Sequence, residues 1–368
     1  MYLAAAALKC TTNLVGLDIS GLNHLLSLLA KTSFPRLAEA KLPYAPSLTT
    51  FLQTNRQLLK AIIIEGSAVT PDLLSSSSRH FTNVQLPELQ AFVGSCNIIP
   101  HVIPGSQVQY LTICWEPECE RLEEIMRCVA QSRRGVLGMD NLVLGWNPAL
   151  LNVIADFMPR IERLRIRNVC PLSNGEMIES YMLYLEEGLH KFEQLHTLAI
   201  TLLFNPYEYH LEDLDHEYDL LRRWGSLVPT LMVCTLPSMT RWMRVRESHW
   251  FPFVDPKDDP YKKLKVHWLF RGFKNGTYPK ELFAMISGGI NFEDVEPLVH
   301  IDDYLEDEED DFGEDGDGQE EEADSGWDWE DGGPGGVDWH EGDSDETSDW
   351  EDTDEDGDLD WVDGNTVD

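Results

Sequence analysis

The ten residues Ile161–Cys170, IERLRIRNVC, decide how this chain folds. Apolar residues stand at its first, fourth and sixth positions: Ile161, Leu164 and Ile166. Positions four and six are two apart, so both side chains point to one face of a short strand. The first packs where the chain approaches the strand. The same offsets recur in MDNLVLGWN (Met139, Leu142, Leu144, then Asn147), LVGLDISGLN (Leu14, Leu17, Ile19, then Leu22 and Asn23), LHTLAITLL (Leu195, Leu198, Ile200) and VQYLTI (Val108, Leu111, Ile113). Weaker copies begin at Leu37, Leu59 and Leu89.

Between the strands lie stretches with helical spacing. GLNHLLSLLAK, CERLEEIMRCVAQS, NPALLNVIADFM and NGEMIESYMLYLEEGLHKF are the clearest, and Leu122, Ile125, Met126 and Val129 make one stripe. A strand and its helix cannot bury their apolar faces alone, so neighbouring units must stack. Asn or Cys after each strand is placed to hydrogen-bond backbone left open as the chain leaves it. Starts at 14, 37, 59, 89, 108, 139, 161 and 195 give intervals of 23, 22, 30, 19, 31, 22 and 34 residues. The pattern resembles the leucine-rich repeat, whose units run about 20–29 residues. The expected fold class is α/β: an irregular leucine-rich-repeat solenoid with parallel strands on a concave face and helices on a convex one. A generic α/β domain is the alternative.

Charge divides the chain. Of 368 residues with net charge −37, residues 302–368 hold 33 Asp and Glu and no Lys or Arg; the rest carries 32 acids against 28 bases. The expected organisation is repeats over 1–250, a terminal cap over 251–301 and a disordered acidic tail over 302–368. Seven scattered cysteines without a C-x-x-C read as reduced thiols, which places the chain in the cytoplasm or nucleus. No apolar run is long enough to span a bilayer.

If Leu164 and Ile166 point inward, Arg163, Arg165 and Arg167 share the concave face. The matching positions elsewhere are Gly16, Asp18 and Ser20; Tyr110, Thr112 and Cys114; Asn141 and Val143; Thr197, Ala199 and Thr201. Three guanidiniums on one strand repel each other unless an acid faces them. Either Glu162 or Glu193 does so, or the face takes an anionic ligand or acidic peptide. A second basic stretch, with ten Lys and Arg between Thr240 and Lys280, adds Arg244 and Arg246 as candidates. Its aromatic interleaving suits nucleic acid, but the acidic tail would compete, so YKKLKVHWLF reads better as a terminal cap.

No catalytic motif occurs, so the chain reads as a non-enzyme without a cofactor. HLEDLDHEYD offers His210, Asp213, His216 and Asp219 at helical spacing, which reads as a solvated face more readily than a metal site. In the tail, Asp352–Asp363 matches a calcium-binding loop at Asp352, Asp354, Asp356, Gly357 and Asp360. It lacks the final Glu and flanking helices, so no metal is expected. Trp339, Trp350 and Trp361 recur every 11 residues behind an Asp. Such a segment either solubilises the chain or makes contacts through its rings, with an intramolecular return to the basic body or a basic partner as its expected targets.

The irregular repeats, FPRLAEAKLPYAPSLTTFLQTNRQLLKAIII and LPSMTRWMRVRESHWFPF resemble the leucine-rich-repeat bodies of fungal F-box-like proteins over about residues 10–275. The repeats and the tail read together as a non-enzymatic protein-interaction scaffold; the resemblance implies, as the alternative, a substrate adaptor of cullin ubiquitin ligases with ligase components as partners, and a third reading is a chaperone of basic proteins that works through the acidic tail. An F-box ahead of the repeats is not expected in this chain; truncation and loss of the module both remain open.

Overall fold

The computed structural model describes residues 1–65, 81–117, 119–169, 175–202, 211–245, 249–254 and 261–286, all within one compact unit. Its strands are β1 (Gly16–Asp18), β2 (Glu39–Pro43), β3 (Ala61–Glu65), β4 (Ala91–Ser95), β5 (Tyr110–Cys114), β6 (Gly138–Val143), β7 (Arg163–Asn168), β8 (Thr197–Leu202), β9 (Val233–Thr235), β10 (Arg241–Val245) and β11 (His249–Pro252). They form one sheet in sequence order. From β1 to β9 every neighbour is parallel; β10 and β11 are antiparallel.

The helices are α1 (Tyr2–Lys9), α2 (Asn23–Leu29), α3 (Leu48–Asn55), α4 (Ile99–Val102), α5 (Leu122–Val129), α6 (Pro148–Phe157), α7 (Gly175–Leu189), α8 (Leu211–Leu227), α9 (Lys262–Lys274) and α10 (Lys280–Ile286). In α5 the predicted stripe forms: Ile125, Met126 and Val129 are buried, with Glu123 and Glu124 in the first turn, where acids suit the helix dipole. α6 opens with Pro148 behind Asn147, whose side chain accepts from the Ala149 N–H at 3.0 Å. Helix length separates the shortest of the repeat intervals from the longest. The 19-residue interval after Leu89 has only the four-residue α4, and the 34-residue interval after Ile161 has the 15-residue α7.

The core is built from rows of strand residues in register. Leu17, Ala40, Ile62, Phe92, Leu111, Met139, Leu164, Leu198 and Cys234 make the position-four row, all buried. The position-six row holds Ile19, Leu42, Ile64, Gly94, Ile113, Asn141, Ile166, Ile200 and Leu236, also buried. Gly94 fits because the Phe92 ring fills its place; an added Cβ would meet that ring at 2.9 Å.

One unit differs from the sequence reading. β6 pairs Met139 with Leu164 and Asn141 with Ile166. Its unit therefore begins at Val136, with Met139 at position four and a buried Asn at position six. Leu142 and Leu144 do not point inward: Leu142 is half-buried on the opposite face and Leu144 is 45% exposed, whereas Asn141 and Val143 are buried. The hydrophobic letters alone favoured the wrong frame, and a slip by one residue exchanges the two faces of a strand. The intervals of 31 and 22 become 28 and 25 residues. A ninth unit, Leu231, Cys234 and Leu236, extends the array beyond the eight starts that the pattern suggested.

The parallel array ends inside the span 1–250 assigned to repeats: pairing turns antiparallel at β10. Beyond it, α9 carries the YKKLKVHWLF stretch. Its Trp268 meets Trp242 edge to face at 5.3 Å and Tyr218 of α8 at 5.4 Å. Tyr278 stacks on Phe251 at 4.5 Å and donates to the Trp250 carbonyl at 2.8 Å. These rings close the last strands over an apolar cluster. Cys170, His210, Arg246, the calcium-loop-like stretch, Trp339, Trp350, Trp361 and the expected tail–body contact lie outside the described residues.

Candidate functional site

The face of the sheet opposite the buried rows is the open face. Its residues alternate with the core residues, so the strand register fixes which side chains are neighbours. Near β1–β3, Lys41 lies between Asp18 and Glu65, at 3.7 and 2.7 Å. Asp18 accepts from the Ser20 N–H at 3.0 Å and the Ser20 hydroxyl at 2.7 Å. Those bonds, and Lys41 beside it, hold its carboxyl below the usual range.

The three arginines of β7 do stand together, and each has a different environment. Arg167 makes a two-pronged ion pair with Asp140 of β6, Nε–Oδ1 3.0 Å and Nη2–Oδ2 2.6 Å. The carboxylate expected beside this strand is therefore Asp140, not Glu162 or Glu193; Glu193 pairs with Arg160 at 3.1 Å. The frame slip in β6 hid it, because that reading turned Asp140 inward. Arg163 reaches across Gly138 to stack on the Tyr110 ring at 5.1 Å and donate to its hydroxyl at 3.0 Å. Gly138 permits this approach, since a Cβ there would meet the Tyr110 ring at 3.1 Å. Arg165 is exposed, and its guanidinium has no hydrogen bond or ion pair among the described residues.

Sequence reasoning missed Arg241. Register carries Arg165 of β7 through Ala199 and Thr235 to Arg241 of β10, so both arginines occupy one row. Arg241 is exposed, lies over the Phe253 ring at 5.7 Å and meets no acid among the described residues. The residues between them are small: Thr197 and Thr235 are half-buried, and Ala199 and Thr201 are buried. Only the turn from β9 into an antiparallel β10 brings Arg241 here, and no repeat offset encodes that turn.

Arg244, by contrast, lies on the other side of β10. Its Nη1 donates to the carbonyls of Pro229 and Leu231 at 2.9 and 3.4 Å, and its guanidinium lies over Trp250 at 6.0 Å. It fastens the approach to β9 and is not part of the open face. Arg271 pairs with Asp215 of α8, which also accepts from the Trp268 indole at 2.8 Å. Glu217 accepts from the Trp242 indole at 2.7 Å. The acids of α8 thus bind the terminal cap. Among the described residues no group of His, Cys, Asp and Glu has the arrangement to hold a metal ion, and no helix is long and apolar enough to cross a membrane.

The Arg167–Asp140 pair is partly shielded, with 30% and 21% of the two side chains exposed. Two-pronged geometry favours it, and partial exposure limits it. A double-mutant cycle with Arg167→Met and Asp140→Asn should report a coupling of about 1 kcal/mol in chemical denaturation. A coupling near zero would show that Arg167 is as free as Arg165.

Nine stacked strand units with buried residues at positions four and six, eight of them joined by parallel pairing to the next, define a strand–helix repeat array with a long, mostly parallel sheet. No family model matches the chain, and no curated protein matches it. Among solved structures, it is similar to the leucine-rich-repeat-containing protein LegL7 from Legionella pneumophila, at 10% identity, over 71% of this chain and 91% of that chain, with a TM-score of 0.36.

Proposed function

We propose that this chain is a non-enzymatic protein-interaction scaffold, and that its open face between β7 and β10 takes an acidic segment of a partner protein. The observation that carries the reading is the row Arg165–Ala199–Thr235–Arg241, with two exposed arginines lacking acidic partners among the described residues and two small residues, buried Ala199 and half-buried Thr235, between them. Three strand spacings separate the arginines, roughly 14 Å. Two carboxylates four residues apart in an extended peptide span roughly 13 Å. Guanidinium forks favour such carboxylates over other anions of one charge. The tail, with 33 acids and no bases, is a second binding element that would take basic proteins.

The test is anisotropy of a dye-labelled extended peptide with glutamates four residues apart, titrated with the full chain. The double variant Arg165→Glu, Arg241→Glu should weaken binding about tenfold, because each exposed pair is worth ~0.2–1 kcal/mol and reversal turns attraction into repulsion. Raising salt to about half molar should weaken the wild type alike. Adding a synthetic peptide of residues 336–368 should displace the label, since it carries the same acids. Binding that ignores both substitutions would remove the open face from the function.

A further inference from the structure

The open face carries its charges in order along the sheet. On β1–β3 it presents Asp18, Glu39 and Glu65 against Lys41. Lys41 is shared by Asp18 and Glu65, at 3.7 and 2.7 Å, and the exposed Glu39 carboxylate has no hydrogen bond or ion pair among the described residues. Next come Ala61 and Ile63 of β3, Ala91 and Val93 of β4 and Tyr110 of β5, neighbours by register. Ile63 and Tyr110 are 38% and 45% exposed, and β4 and β5 present no Asp, Glu, Lys or Arg on this face. At the other end β7 and β10 present Arg163, Arg165, Arg167 and Arg241 against Asp140 of β6. One end is therefore three acids to one base, the other four bases to one acid, and an uncharged band lies between.

Resting on the arginine pair proposed above to take an acidic segment, we infer that the whole partner segment crosses the strands in a fixed order: two acidic residues over β10 and β7, an apolar residue over β4 and a basic residue over β2. One register row runs from Arg241 through Arg165 and Val93 to Lys41 and sets the spacing. Arg241 to Arg165, and Arg165 to Val93, are each three strand spacings, roughly 14 Å; Val93 to Lys41 is two, roughly 10 Å. At about 3.3 Å per extended residue, these are steps of about four, four and three residues along the segment.

Charge complementarity selects this order. Turned end for end, the segment sets its carboxylates against Asp18, Glu39 and Glu65 and its base against the arginines, and like charges brought together suppress a binding mode more strongly than exposed pairs favour one. The uncharged band between the two ends has no charge to hold, so what it gains from the segment is apolar area removed from water, at Ile63, Val93 and the Tyr110 ring. Arg163 stacks on that ring and joins the band to the basic end. The chain's own tail lacks the required base: residues 302–368 hold no Lys or Arg. The occupant that fits both ends is a segment of another protein.

The test is anisotropy of three dye-labelled peptides with the full chain. The ordered peptide has glutamates four residues apart, a leucine four further on and a lysine three beyond that, with serines elsewhere. The second has glutamine for the lysine. The third exchanges the lysine with the first glutamate and so keeps the same net charge, which removes any difference due to the chain's overall −37. The ordered peptide should bind roughly threefold more tightly than the glutamine peptide and roughly tenfold more tightly than the exchanged one. In Glu39→Lys the preference for lysine over glutamine should vanish or invert. Equal binding of the ordered and exchanged peptides overturns the inference. If that equality comes with binding that Arg165→Glu, Arg241→Glu still weakens, the arginine pair keeps its role and only the fixed order falls. Binding of all three peptides that ignores the arginine substitutions overturns both. The comparison of ordered and exchanged peptides on the wild-type chain decides alone if Glu39→Lys misfolds.

Discussion

Trp242→Ala should lower the stability of the chain by about 3–5 kcal/mol, the range for truncating a fully buried large aromatic. Trp242 has no exposed surface and is in the register row of Cys234, at the seam between the parallel array and the antiparallel hairpin. Its ring meets Trp268 at 5.3 Å and Tyr218 at 6.3 Å, and its indole N–H donates to Glu217 at 2.7 Å. The alanine therefore leaves a cavity between α8 and α9 and removes the indole's bond to the half-buried Glu217 carboxylate as well. Stacked units are stabilised by their neighbours, so the cap and β9 should melt ahead of the first units. Far-UV circular dichroism in denaturant gives the total loss, and hydrogen exchange locates it. Trp242→Phe, which keeps a ring but not the donor, should cost less than half as much. A loss below 1 kcal/mol for the alanine would mean that the cap does not depend on this seam.

How far the sequence could lead is clearest in β6 and β7. In β7 arginines alternate with Leu164 and Ile166, so the two faces could not be confused, and the three arginines lie on the side opposite that buried pair. In β6, Leu142 and Leu144 carry apolar letters on the open side, while the core position is an asparagine. Apolar periodicity then selects the wrong face, and Asp140, the partner of Arg167, is lost with it. Helices were legible where their stripes were long, as in α5 and α6. Arg241 was not legible as a neighbour of Arg165, because their adjacency depends on strand order across the parallel-to-antiparallel switch. The position after each strand was also only half legible. Asn147 caps α6, whereas the backbone at the β6 exit is bonded by Asn168 of the next strand, whose Oδ1 accepts from the Gly145 N–H at 2.9 Å. That bond runs between units, and offsets within a unit do not reveal it.

Asn141 separates the repeat pattern from the hydrogen-bond network. Judged by the pattern, Asn141→Leu should stabilise the chain, since it restores an apolar residue at position six of a row that is otherwise almost wholly aliphatic. Full burial of a leucine there is worth about 1.5–3 kcal/mol against an exposed one. The structure predicts the opposite sign. Asn141 accepts from the Trp115 indole N–H at 2.9 Å and donates to the Arg165 carbonyl at 3.2 Å. Trp115 is only 6% exposed, so its N–H has no ready access to water. An orphaned buried polar group costs about 1–3 kcal/mol, and here two groups lose a partner. The larger leucine must also fit between Ile113 and Ile166 in a close-packed row, which adds strain. The net expectation is a loss of about 2 kcal/mol in chemical denaturation. The decisive comparison uses Trp115→Phe, which removes the indole donor. In that background Asn141→Leu should be milder by about 1–2 kcal/mol, because removing both partners costs far less than stranding one. If Asn141→Leu stabilises the wild type, or costs the same in both backgrounds, the asparagine is a tolerated departure from the pattern. If the penalty falls as expected, Asn141 holds the β5 exit to the β7 backbone, and with it the strand that presents Arg165.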